Sequence, residues 1–119
     1  MWQEKRKNKR ITLSLPIDYE ILNTEEKEIN STICKNISEG GLKLVFKKFY
    51  LPKAQFLVKI NLAGINRVVE TIAESAWSFN MHFSNMYYTG VRFLDLSISN
   101  RRNIREYLMM KEITNPSNN

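Results

Sequence analysis

Two stretches of this 119-residue chain hold side chains suited to gripping a ligand. The first is Arg6-Lys7-Asn8-Lys9-Arg10, with arginines at either end of a basic run. A guanidinium is a planar fork that matches phosphate oxygens, or the O6/N7 edge of guanine, with two parallel hydrogen bonds. It also stacks on a purine face. The second is Asn36-Ile37-Ser38-Glu39-Gly40-Gly41. Asn36 offers an acceptor and a donor, and Ser38 adds a hydroxyl. Gly41 can take positive φ or let a ligand approach the backbone closely. Each stretch alone is ordinary, because arginines recur in basic tails and Asn, Ser and Gly are common turn residues. Together their chemistry suits a small guanine nucleotide with more than one phosphate.

Other chemistry is thinly provided. The single histidine, His82, lies in a predicted loop far along the chain from the single cysteine, Cys34. Cys34 falls in strand-like sequence and reads as a small buried hydrophobe. Metal binding needs clustered His, Cys or carboxylate ligands, and the sequence has no such cluster. It also has no G-x-x-x-x-G-K-S/T loop and no G-x-G-x-x-G turn. The expectation is a protein that is not an enzyme and uses no metal or cofactor.

The elements that must position the two stretches are mostly strands. Ile11, Leu13, Leu15, Ile17, Tyr19 and Ile21 alternate with Thr12, Ser14, Pro16, Asp18 and Glu20, which predicts a long strand with one buried face. Pro16 cannot donate a ladder hydrogen bond, so this strand is an edge there or bends. A polar turn at Asn23 to Lys27 leads to a returning strand over Glu28 to Lys35. The Asn36 to Gly41 stretch breaks the pattern before Leu42, Leu44 and Phe46 restore it. Phe56 to Leu62 predicts another strand, whose partner runs from Arg67 after the Gly64-Ile65-Asn66 turn through Val69 towards Trp77 and Phe79. Asn80 to Asn85 reads as a loop and Tyr87 to Leu96 as a last strand. Ser97 or Ser99 is a suitable N-cap for a helix whose apolar face holds Ile104, Tyr107 and Leu108, with Arg101, Arg102 and Arg105 elsewhere. About six strands followed by a helix predict an all-β fold, an antiparallel barrel with one C-terminal helix packed on it. Phe46, Phe56, Phe79 and Phe93 fall on apolar strand faces and read as core, while Trp77 suits core packing and ligand contact equally.

Composition bounds the class. The chain is the size of one domain, with 43% hydrophobic and 25% charged residues, as in an ordinary globular protein. No stretch approaches ~18 consecutive apolar residues, so no membrane-crossing helix is expected. The N-terminus lacks an apolar signal region, and a lone cysteine fits a reducing compartment, so the expected location is the cytoplasm. Of the net charge of +6, residues 1 to 10 account for +4 and the other 109 for +2. A basic arm on a nearly neutral body suits a compact anion or a phosphate backbone alike. A nucleic-acid-binding domain usually spreads its basic residues over a face, so nucleic acid is not the expected partner.

With both motifs in place, the chain resembles the PilZ domain family, whose signature is R-x-x-x-R followed some tens of residues later by D/N-x-S-x-x-G. Arg6 and Arg10 match the first element, and Asn36, Ser38 and Gly41 match the second. Trp77 near the end of a long strand, and the run Tyr88 to Leu96 followed by a helix, extend the likeness over roughly Lys5 to Met110. The resemblance implies a six-stranded antiparallel barrel that binds cyclic di-GMP. Arg6 and Arg10 would wrap phosphates and guanine while Asn36, Ser38 and Gly41 grip the base, with Lys5, Gly40 and Trp77 as further contacts. Asn36 stands where many members have Asp, and an amide lacks the charge that strengthens such bonds. The implied organisation is a flexible arm over 1–10, the barrel with its helix over 11–112 and a disordered tail over 113–119. The implied mechanism is ordering of the arm by ligand, sensed by an unidentified effector protein. The alternative is a PilZ-like protein-interaction adaptor that binds no nucleotide.

Overall fold

The computed structural model describes residues 11–25, 29–82 and 84–114. Lys5, Arg6, Arg10 and the rest of the arm lie outside these residues, as does the tail from 115 onward. Six strands and one helix follow one another along the chain: β1 (Ile11–Ile21), β2 (Ile29–Ile37), β3 (Gly41–Phe46), β4 (Gln55–Leu62), β5 (Arg67–Asn80), β6 (Tyr87–Leu94) and α1 (Ile98–Thr114). The strands close into an antiparallel barrel in the order β1-β2-β3-β6-β5-β4.

The alternation read from β1 has the physical cause expected of it. Leu15 and Ile17 point into the barrel and are buried, while Ser14, Pro16 and Asp18 face out. Pro16 sits at a boundary: β1 pairs with β4 from Ile17 onward, whereas Ile11 to Pro16 pair with β2 alone. The N-terminal half of β1 is therefore an edge on one side, where a residue without an N–H is tolerated. Leu42, Leu44, Phe56, Val58, Ile60, Leu62, Val69 and Val91 complete a contiguous core. Edge-to-face contacts of Phe46 with Tyr19 and Tyr50, and a stacked contact with Phe56, fill one region of it.

The last element is capped as a helix start requires. Ser97 Oγ accepts from the Asn100 N–H at 3.0 Å, which makes Ser97 the N-cap. Ile104, Tyr107 and Leu108 are buried against the barrel, and α1 touches β5 and β1. The helix runs to Thr114, past the boundary expected at 112.

Two faces differ from the simple alternation. Phe79, expected in the core, is 52% exposed. The register of β5 against β6 shifts between Ser75 and Trp77. One extra residue there turns every later side chain to the opposite face, so Trp77 and Phe79 emerge on the outer surface. The same device operates in β2, where Cys34 pairs with Leu44 but Asn36 pairs with Lys43. Cys34 and Ile37 consequently both point inward, and Asn36 is turned out.

Candidate functional site

Those irregularities assemble a surface. Reading Cα partners across the barrel, Thr12 faces Asn36, Asn36 faces Lys43, Lys43 faces Gly90 and Gly90 faces Trp77. The row crosses four strand boundaries on the outer wall and begins two residues after Arg10. Beside it lies a cleft of about 520 Å³ lined by Thr12, Leu13, Ser14, Lys35, Asn36, Lys43 and Tyr88. Lys35 and Lys43 make it cationic, and Lys43 Nζ stands 4.2 Å from the centre of the Tyr88 ring. The Trp77 indole lies directly on Gly90, where a methyl group would come within 2.3 Å of Cε2. Trp77 stacks on Phe79 at 5.4 Å, and Phe79 meets Tyr88 at 5.7 Å. An aromatic strip thus leads from Trp77, 38% exposed, to the cationic cleft.

The turn that follows Asn36 is tightly fastened. Asn36 and Ile37 still belong to β2, and Gly41 already opens β3, so the turn itself is Ser38 to Gly40. The Ser38 N–H donates to Gly41 O at 3.0 Å, the Gly40 N–H to Ser38 Oγ at 3.1 Å, and the Phe93 N–H to Gly40 O at 2.9 Å. Ser38 is only 4% exposed, so its hydroxyl shapes the turn before it touches anything else. Gly41 does not adopt positive φ; among the described residues Gly64 is the only glycine that does. Its lack of a side chain serves packing, because a Cβ there would sit 2.0 Å from Val91 O on β6.

The structure brings Asn36 and Trp77 onto one outer row and sets Ser38, Gly40 and Gly41 at its edge. Lys35, Lys43 and Tyr88 also line the cleft beside this row, and the sequence alone does not single them out. Strand alternation marks Lys43 as outward-facing, but nothing in the sequence places it against Asn36.

Cys34 is excluded as a nucleophile by its surroundings. It is fully buried, its thiol donates to Asn36 O at 2.9 Å, and burial pushes its pKa from 9.0 up to about 12. Native protein should react negligibly with a thiol reagent at pH 8, and denatured protein should react at once. Because the folded value is raised, the thiol's contribution to stability is complete below pH 9 and is lost as the pH rises towards 12. Chemical denaturation of the parent and of Cys34→Ala across that range should show the parent losing more stability. Among the described residues no group of His, Cys, Asp and Glu could hold a metal ion, and no helix is long and apolar enough to cross a membrane.

Comparison with known proteins adds family and fold. The PilZ domain family model matches residues 4–110. Comparison with curated protein sequences finds none that matches. Among solved structures, the inhibitor of motility MotI/DgrA of Bacillus subtilis is similar with a TM-score of 0.78 and 19% identity. That likeness covers 94% of this chain and 53% of the other, so the present chain spans about half that protein's length. The PilZ domain of Escherichia coli YcgR with c-di-GMP aligns at a TM-score of 0.71 and 13% identity, covering 96% and 97% of the two chains. The complex of MrkH from K. pneumonia with c-di-GMP aligns at 0.68 and 17%, covering 97% of this chain and 54% of that one.

Proposed function

On the premise that this chain belongs to the PilZ domain family, we propose that it is a receptor for cyclic di-GMP that acts through a partner protein and catalyses no reaction. The observation that carries this reading is the cationic cleft on the outer row, into which the irregularity of β2 turns Asn36 beside the Ser38–Gly40 turn. Two of the structural relatives were solved with c-di-GMP. In this reading Asn36 pairs with a guanine edge, while Ser38, Gly40 and Gly41 form the wall beside it. Arg6 and Arg10, with Lys5 near them, come from the arm to the phosphates and to guanine. Lys35 and Lys43 neutralise a second phosphate, and the strip from Tyr88 to Trp77 offers rings on which a base can stack.

Signalling follows from the chemistry of the arm. Five basic residues without apolar periodicity repel one another until an anion arrives. Ordering each residue costs roughly 1–2 kcal/mol, which charge-assisted bonds from Arg6 and Arg10 offset. An effector then meets the ordered arm and the ligand as one surface, in the cytoplasm. A second reading, a protein adaptor that binds no nucleotide, is favoured by one observation: Trp77 and Phe79 form a stacked, exposed aromatic pair.

A calorimetric titration distinguishes the two. Cyclic di-GMP should bind, and cyclic di-AMP should bind at least about tenfold more weakly, because adenine leaves the guanine-matched groups unpaired at about 1–3 kcal/mol each. On adding ligand, amide exchange should slow between Gln3 and Ile11 and slow further from Asn36 to Gly41, with little change elsewhere. Absence of heat with cyclic di-GMP, or equal affinity for the two nucleotides, removes the receptor reading.

A further inference from the structure

The middle of the Asn36–Gly41 stretch is held by an element distant in sequence. Glu39, between Ser38 and Gly40, points its carboxylate at α1. Arg105 grips it with two parallel bonds, Nε to Oε2 at 3.0 Å and Nη2 to Oε1 at 2.9 Å. Arg101, one helical turn earlier, reaches the same Oε1 at 3.8 Å. The Glu39 side chain is 20% exposed, far less than an ordinary surface glutamate, and the paired arginines hold its carboxyl below the usual carboxylate range, chiefly through the Arg105 hydrogen bond. The helix itself is a firm base, since Ile104, Tyr107 and Leu108 are buried against the barrel.

The turn has a physical need for such an anchor. Gly40 and Gly41 lose more backbone freedom on ordering than any other residue type would. Ser38 Oγ is correctly aimed only while Gly40 N–H stays on it. A side chain fixed between them restricts both neighbours at once. From this geometry we infer that Arg105, assisted by Arg101, is a positioning residue for the ligand-binding turn, acting through Glu39 and touching no ligand itself. Coupling of this kind is reciprocal, so a ligand that fixes the turn also fixes α1. The inference deepens the receptor reading and rests on it for the ligand.

The test compares the parent with Glu39→Gln, with Arg101→Gln/Arg105→Gln, and with all three changes combined. The exposed arginines and the glutamate lie outside the core, so these variants should keep the fold and nearly the parent's Tm. Each should bind cyclic di-GMP about tenfold more weakly, and the combination should be no weaker than either, because all remove one linkage. In ligand-free protein the Ser38 and Gly40 amides should exchange faster in every variant. Putting the charges back in reverse, as Glu39→Arg with Arg105→Glu, should recover much of the affinity and slow exchange again. Parent-like affinity, or losses that add, overturns the positioning role. If the parent shows no heat with cyclic di-GMP, the receptor reading falls separately, and Ser38 and Gly40 exchange still decides whether Arg105 positions the turn; unchanged rates overturn it.

Discussion

Arg10→Ala should abolish measurable binding of cyclic di-GMP and should barely move the melting temperature of the ligand-free protein. Arg10 is the last residue of the R-x-x-x-R motif and immediately precedes Ile11, whose Cα partner is Ile37, the residue before Ser38. The arm therefore joins β1 at a residue paired one position before Ser38. A guanidinium fork that loses two charge-assisted hydrogen bonds forfeits about 1.5–3 kcal/mol for each, or at least about a hundredfold in affinity. Arg10→Lys should recover little, because an ammonium cannot reproduce the paired geometry. Ser38→Ala should cost about 1 kcal/mol in binding, the scale of one neutral hydrogen bond, and should also loosen the turn by freeing the Gly40 N–H. Titration calorimetry on these variants, beside thermal melts without ligand, checks the ranking. Parent-like binding by Arg10→Ala would mean that the arm contributes no ligand contact.

Gly41→Ala should destabilise the barrel more than Gly90→Ala does. Its Cβ would stand 2.0 Å from Val91 O and 3.0 Å from both Val91 C and Arg92 Cα. All three are backbone atoms of β6, held within the sheet, and none can rotate away. β3 and β6 must then separate where Gly41 pairs with Arg92, and the turn before Gly41 moves with them. A loss of about 3 kcal/mol or more follows, large against a total domain stability of about 5–15 kcal/mol. In a thermal melt this is a fall of roughly 10 °C or more. Gly90→Ala is the instructive contrast. There the obstruction is the Trp77 ring, a side chain that can swing aside. It should cost less stability but change Trp77 fluorescence, and equal melting temperatures for the two variants would contradict the distinction.

Glu39 and Arg105 illustrate a limit of reading along the chain. They are 66 positions apart, and in the sequence one is a turn residue and the other a solvated helix residue. Only the docking of α1 brings them together.

Much of the architecture was legible because it depends on local chemistry. The period-two run from Ile11 to Ile21 is β1 residue for residue. Ser97 caps α1, and Ile104, Tyr107 and Leu108 are its buried face, since capping and helical spacing act over a few residues. The Asn36–Gly41 stretch was legible as a break between two strands, and it carries the turn from β2 into β3, while the arginine motif lies outside the described residues. What escaped was the direction in which side chains point after an irregularity. Counted by twos, Val69, Ala73, Trp77 and Phe79 share a face, as do Cys34 and Asn36. In the folded barrel Val69, Ala73 and Cys34 are buried while Trp77, Phe79 and Asn36 look outward. A bulge is fixed by how many residues the partner strand sets opposite, here Asn36 against Lys43 and Trp77 against Gly90. That count belongs to the pairing of strands distant in sequence, so local alternation in either strand alone does not encode it.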